Sequence, residues 1–271
     1  MKYRIHHHTL YRYSQPVVRS VHELRLTPRS GPLQVVERWE VAVPGSLTEA
    51  RDGFGNIVHN FTLATPAETI AIAATGEVAV RPRPEEPCFR DVPPDGEARV
   101  SPLYFRASTA LTEAPEALRG FAAPYLSAGH EPPALLALAQ GIAERVRYQP
   151  NSTDVGTSAA EAFALGAGVC QDQAQVMVAA CRAFGVPARY VSGYFYDPAA
   201  ADLASHAWAD VCIDPQRDLW CSIDVTHGCH TDTRHVRLAV GRDYRSAAPI
   251  RGIREGGGAE TLAVDIRIEP L

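Results

Sequence analysis

The chain has 271 residues, enough for two ordinary domains or one large one, and is 46% hydrophobic and 21% charged, as folded proteins are. A formal charge of -5 gives no broad basic face for nucleic acid or an anionic membrane, and no apolar run approaches bilayer-spanning length. The start carries no basic, apolar and small-residue leader, so the cytoplasm is the expected compartment. There the six cysteines (Cys88, Cys170, Cys181, Cys212, Cys221 and Cys229), with no CxxC pair, are expected to stay reduced.

Tyr3 to Tyr13 mixes β-branched, aromatic and His side chains and reads as a strand closed by Pro16. Further strands are predicted around Ser20 to Leu26, Val35 to Val43, Ile57 to Leu63 and Glu68 to Val80, separated by Gly, Pro, Asn and Asp clusters. That spacing predicts a β-sandwich over residues 1–100. Arg81 to Val100, rich in Pro and charge, reads as a linker. Residues 101–271 are predicted to form a second domain. Pro115 to Phe121 suits a short helix. Leu135, Leu138, Ile142 and Val146 recur at helical spacing until Tyr148-Gln149-Pro150. Thr157 or Ser158 can cap a helix through Leu165, with Glu161 completing a capping box to Ser158. A helix starting at Cys170 carries Ala174, Met177, Val178, Cys181 and Phe184, and Gly185 and Pro187 stop it. Strands follow over Ala188 to Phe195, His206 to Ile213, Leu219 to Val225 and Val236 to Val240, with Asp197 to Leu203 a loop. Thr261 to Ile268 forms a C-terminal β tail. Helices followed by antiparallel strands make an α+β fold.

Gly168-Val169-Cys170-Gln171-Asp172 places a cysteine in the first turn of a helix, where the positive end of the macrodipole favours a thiolate. A thiolate nucleophile needs an imidazole to take and return its proton, and a third group to orient that imidazole. His206, Trp208, Asp210 and Cys212 share one strand face, as do Trp220, Ser222 and Asp224 on the next strand. With Ile213 opposite Leu219, Trp208 faces Asp224 and His206 is its diagonal neighbour.

The segments Gly168 to Asp172, Val186 to Tyr194, His206-Ala207-Trp208 and Trp220 to Asp224 resemble the transglutaminase-like (papain-like) cysteine enzyme superfamily. More narrowly they are similar to its bacterial transglutaminase-like members. Tyr3 to Tyr13, with His22 to Arg29, resembles that group's N-terminal β domain, and Val240 to Tyr244 its tail. The resemblance implies Cys170 as nucleophile, His206 as base and acid, Asp224 as orienter, and an acyl-thioester resolved by water or by an amine. It implies no metal and no organic cofactor, and a peptide, protein or small amide as partner. Nothing in it suggests nucleic acid or membrane partners, and self-association stays open. Gln173 and Gln175 stand where members commonly have an aromatic residue and a His, and Val225 where Pro is frequent. Those glutamines are expected to mark this protein's own specificity.

Blander readings stand beside these. Cys181, Cys212 and Cys221 suit small buried hydrophobes. Asp172 suits a first-turn carboxylate as well as a functional group. Trp208 reads as packing that shields the His206 pair. His227, Cys229, His230 and His235 match no standard zinc spacing, and His6, His7 and His8 alternate faces, so they cannot converge on one ion. A non-enzymatic scaffold and an amide-transferring enzyme are the alternatives to amide hydrolysis.

Overall fold

The computed structural model describes every residue except 64, 83–86, 92–98 and 199–204. Most of the predicted loop Asp197 to Leu203 and part of the predicted linker Arg81 to Val100 therefore lie outside the described residues. The N-terminal region is organised by β1 (Lys2–Thr27), followed by β2 (Gln34–Ala42), β3 (Ser46–Arg51), β4 (Ile57–Leu63) and β5 (Ala67–Val80). These strands belong to one antiparallel seven-stranded sheet in which β1 is shared by both halves. Hydrogen bonds thus join the strands expected as two facing sheets into a single sheet. The physical reason is β1. Its first half pairs with β5, its second with β4, and register shifts between Arg12 and Val17 mark the exchange. Pro16, expected to end the strand, sits in that irregular stretch, where a missing N–H costs no ladder bond. The interior packs Leu24, Leu26, Phe61, Ile70 and Ile72, all fully buried.

The described part of the predicted linker holds β6 (Cys88–Arg90), which pairs with a strand of the second sheet. Then come α1 (Glu116–Leu126), α2 (Pro132–Arg145), β7 (Arg147–Tyr148), α3 (Ala159–Leu165), β8 (Ala167–Gly168) and α4 (Cys170–Ala183). The capping box is present: Glu161 N–H donates to Ser158 Oγ (3.3 Å), and Ser158 N–H to Glu161 Oε2 (2.8 Å). Helix α3 ends at Gly166, whose φ of 72° suits glycine. After α4 follow β9 (Ala188–Phe195), β10 (Ser205–Asp214), β11 (Leu219–Asp224), β12 (Cys229–His230), β13 (His235–Gly241) and the short α5 (Tyr244–Ala247). The second sheet runs β12-β11-β10-β9-β13, with β6 on β11. Helix α4 buries Val176, Val178 and Ala180 in one core with Ala209, Val211, Cys221 and Ile223 of the sheet.

The chain returns through β14 (Ile250–Gly256) and β15 (Glu260–Pro270), both antiparallel to β1. The C-terminal strands thus complete the N-terminal sheet. Two amide side chains join the sheets along β13. Gln34 donates through Nε2 to Arg237 C=O and accepts at Oε1 from Arg237 N–H, both at 2.8 Å. Asn56 does the same to Val240 at 2.7 and 2.8 Å. Among the described residues no helix is long and apolar enough to cross a membrane.

Candidate active site

Helix α4 begins at Cys170, with Val169 as its N-cap residue. The approach is tightly built. Asp172 is fully buried and its Oδ2 accepts from Val169 N–H (2.8 Å) and Thr153 Oγ (2.6 Å). A Cβ on Gly168 would lie 2.7 Å from Asp172 Cβ, so glycine stands two residues before Cys170 for lack of room. Burial raises the Asp172 carboxyl above its usual range, against these hydrogen bonds. Its contacts are those of a helix-start anchor.

The β10–β11 register places Ala209 opposite Ile223 and Asp210 opposite Ser222, as expected. A bulge at the turn puts Asp214, instead of Ile213, opposite Leu219. His206 therefore stands diagonal to Asp224, and its Nε2 lies 2.8 Å from Asp224 Oδ2. No register shift is needed. Burial opposes charge on His206, but hydrogen bonds to Asp224 and to Cys170, with their negative charges, push it up to about 10. Since Nε2 is held by the carboxylate, Nδ1 is the nitrogen left for the Cys170 side. The structure thus brings Cys170, His206 and Asp224 together.

Asp224 has more partners than the sequence reading anticipated. His227 Nδ1 (2.7 Å) and His235 Nε2 (2.9 Å) reach the same Oδ2, and His227 N–H donates to Oδ1 (3.1 Å). Burial opposes its charge, but these three imidazoles hold the carboxyl well below the usual range. A carboxylate only accepts, so each of the three ring nitrogens facing it carries a proton. Phe195 stacks on His227 (ring centroids 4.3 Å apart) and lies 5.3 Å from His206; Trp208 lies 6.1 Å from His206. The i, i+3 spacing of Asp224 and His227 was the available signal for this partnership. His206, Asp224 and His227 each present a ligand atom within 4.8 Å of one another, a grouping geometrically able to hold a cation. Those atoms already hydrogen bond around Asp224. His230 is elsewhere, its Nδ1 3.4 Å from Cys221 Sγ.

Gln173 and Gln175, expected to mark this protein's own specificity, are buried and are not among the residues that line the cleft. Their helix face is enclosed, so they become ties. Gln173 donates to Val146 C=O (2.8 Å) and accepts from Thr226 Oγ (2.7 Å); Gln175 donates to Thr157 C=O (3.0 Å). Of the two residues following Cys170, Gln171 lines the cleft.

That cleft is a cavity of about 420 Å³ containing Cys170 and His206. One wall is Tyr148, Tyr190 and Tyr244 of the second region. The other comes from the first sheet: His7, Thr9 and Tyr11 of β1, with Leu262 and Val264 of β15. His7, one of three consecutive histidines, is buried between Tyr194 OH (2.8 Å from Nδ1) and Thr9 Oγ (3.1 Å from Nε2). Burial lowers it to about 4, so it is neutral near pH 7. Burial, with the nearby Cys170 second, raises the Tyr148 and Tyr190 hydroxyls, which keep their protons.

Comparison with known proteins places these features in a wider group. Residues 3–79 match the bacterial transglutaminase-like N-terminal region, and residues 121–225 the transglutaminase-like superfamily. An uncharacterized protein of Mycobacterium tuberculosis is 33% identical over 292 residues, covering 99% of this chain and 92% of its own. One from Mycobacterium leprae is 29% identical over 288 residues, covering 99% and 98%. The solved structure of a "putative cysteine protease" from Cytophaga hutchinsonii superposes with a TM-score of 0.77 at 22% identity, over 99% of this chain and 90% of that one, so the fold is shared.

Proposed function

The chain belongs to the transglutaminase-like superfamily, and from that premise we propose that it is a thiol-dependent enzyme acting on amide bonds through a Cys170-His206-Asp224 triad. The observation that carries the reading is His206. It is buried, its Nε2 lies 2.8 Å from Asp224 Oδ2, and it lines the same cleft as Cys170. A cationic imidazole beside a sulfur is what an attacking thiolate and a departing amine both require.

Cys170 Sγ attacks the substrate carbonyl carbon, and the C–O π electrons move onto oxygen. The backbone N–H of Cys170, in the open first turn of α4, is one donor for that oxyanion. As the C–N bond breaks, His206 Nδ1 gives its proton to the leaving amine, and an acyl-thioester remains. Water or a second amine then attacks the thioester while His206 takes its proton. Expulsion of the thiolate completes the turnover. Asp224 keeps Nε2–H engaged throughout, which fixes the ring. Hydrolysis is the first expectation; product analysis with and without added amines separates it from amide transfer.

Cys170→Ala should keep the fold and lose activity by at least about 10³-fold. Activity at the parental level would remove Cys170 from the chemistry and favour a scaffold. Iodoacetamide near pH 7 should label Cys170 ahead of the other five cysteines, whereas equal labelling of all six would count against an activated sulfur.

A further inference from the structure

A second cavity, about 560 Å³, adjoins the cleft at Cys170. Val155, Tyr244 and Ile250 line both, so the two are limbs of one groove. Their chemistry differs. Among the described residues that line the first limb there is no Asp, Glu, Lys or Arg; its walls are tyrosines, hydroxyls and aliphatic groups around His206. The second limb carries Arg245 and Arg251, and its one carboxylate, Glu23, is already bound by Arg25 Nη1 at 2.6 Å. Among the described residues neither Arg245 nor Arg251 has a carboxylate partner. Arg251 is steadied from behind, its Nη1 donating to Arg245 C=O at 3.1 Å. Arg245 and Arg251 are both exposed and both line this limb.

We propose that this groove binds an acidic peptide, with an uncharged residue at the carbonyl facing Cys170 and a carboxylate farther along the same chain held by Arg245 and Arg251. The inference rests on the amide-directed chemistry above and names its substrate class. Charge divides the limbs. Apart from the His206–Cys170 pair, the first limb offers no charged partner to a substrate side chain, and burying a charge without a partner is costly, while two guanidiniums with no salt-bridged carboxylate offer forked donors to an incoming one.

The test uses the full chain and two pools of acetylated, amidated octapeptides of uncharged residues, one with a single Asp at varied positions and the other with Asn there. The readout is the peptide concentration that half-protects Cys170 from iodoacetamide, each variant's uncompeted rate serving as its own reference. The Asp pool should protect at about 3- to 10-fold lower concentration, and the advantage should shrink in high salt. It should vanish in the Arg245→Gln/Arg251→Gln double variant, and Arg251→Glu alone should reduce or invert it. Equal protection by the two pools, protection by neither, or an advantage that survives the double variant would overturn the proposal. Turnover of the same pools, followed by mass spectrometry, is read separately. Acid-selective protection with no amide cleaved or transferred would sink the chemical reading and leave the groove standing.

Discussion

The unusual feature at the scale of single residues is the saturation of Asp224. Three imidazoles meet one of its oxygens, and a backbone N–H occupies the other. His206 stays charged in the folded protein up to about pH 10, whereas an exposed histidine discharges near 6.5. Between those values the folded state holds a proton that the unfolded chain has released. The stabilisation is therefore complete below about pH 6.5, declines as pH rises, and is gone once His206 deprotonates near 10. Asp224→Asn removes the main attractive partner and leaves burial to dominate. We expect its kcat/KM to fall on the order of 10²–10⁴-fold, and the alkaline limb of its pH profile to move down from near 10. Urea unfolding between pH 6 and 10 should show a shallower loss of stability in the variant than in the parent. An unmoved alkaline limb would mean that something other than Asp224 keeps His206 protonated. The i, i+3 spacing signalled the His227–Asp224 contact, but His235 was not legible as a partner of Asp224, because it arrives on β13, three places from β11 in the sheet.

Where local chemistry fixes an element, the sequence announced it. Helix α4 starts at Cys170 as expected, since Gly168 and the Asp172 anchor define its entry, and the Ser158–Glu161 box defines that of α3. Elements that depend on distant partners were harder to read. Strands β3 and β14 are mostly exposed, with no buried alternation to announce them, and β1 runs through a proline because partner strands hold it on both sides. The glycine two residues before Cys170 gives a direct test. Gly168→Ala would push a methyl group within 2.8 Å of Asp172 Oδ2, the atom that fixes both Val169 N–H and Thr153. We expect a loss of about 1–3 kcal/mol in unfolding free energy from that overpacking, with slower alkylation of Cys170. Parental stability and alkylation rate together would show that the entry to α4 tolerates the extra atom.

Across the whole molecule, the site is made by the two ends of the chain as much as by its middle. β1 and β15 supply one wall of the cleft at Cys170, although α4 lies far from either in sequence. Sequence periodicity marked β15 as a strand but carried no information on its partner, because pairing between residues 3 and 270 is a property of the closed fold. A chain ending at Gly258 would strip β1 of its β15 ladder over Tyr3 to Tyr13 and leave it paired there with β5 alone. It would also remove Ile266 and Ile268 from the cluster where Tyr3, Ile5 and Val78 meet Tyr194 and Val236 of the second sheet. Lost ladder bonds and apolar burial should cost roughly 2–5 kcal/mol, read as a lower melting temperature. The cleft should open as well, since Leu262 and Val264 are gone. A bulky maleimide should then gain on iodoacetamide in labelling Cys170, because the missing wall excluded the larger reagent more. Cys181 is the internal control, being fully buried with its thiol pushed up by burial to about 12. If Cys181 stays unlabelled while the maleimide advantage at Cys170 rises, β15 is a wall of the site. If the melting temperature falls but the ratio of the two reagents at Cys170 does not change, β15 stabilises the first sheet without shaping access to the thiol.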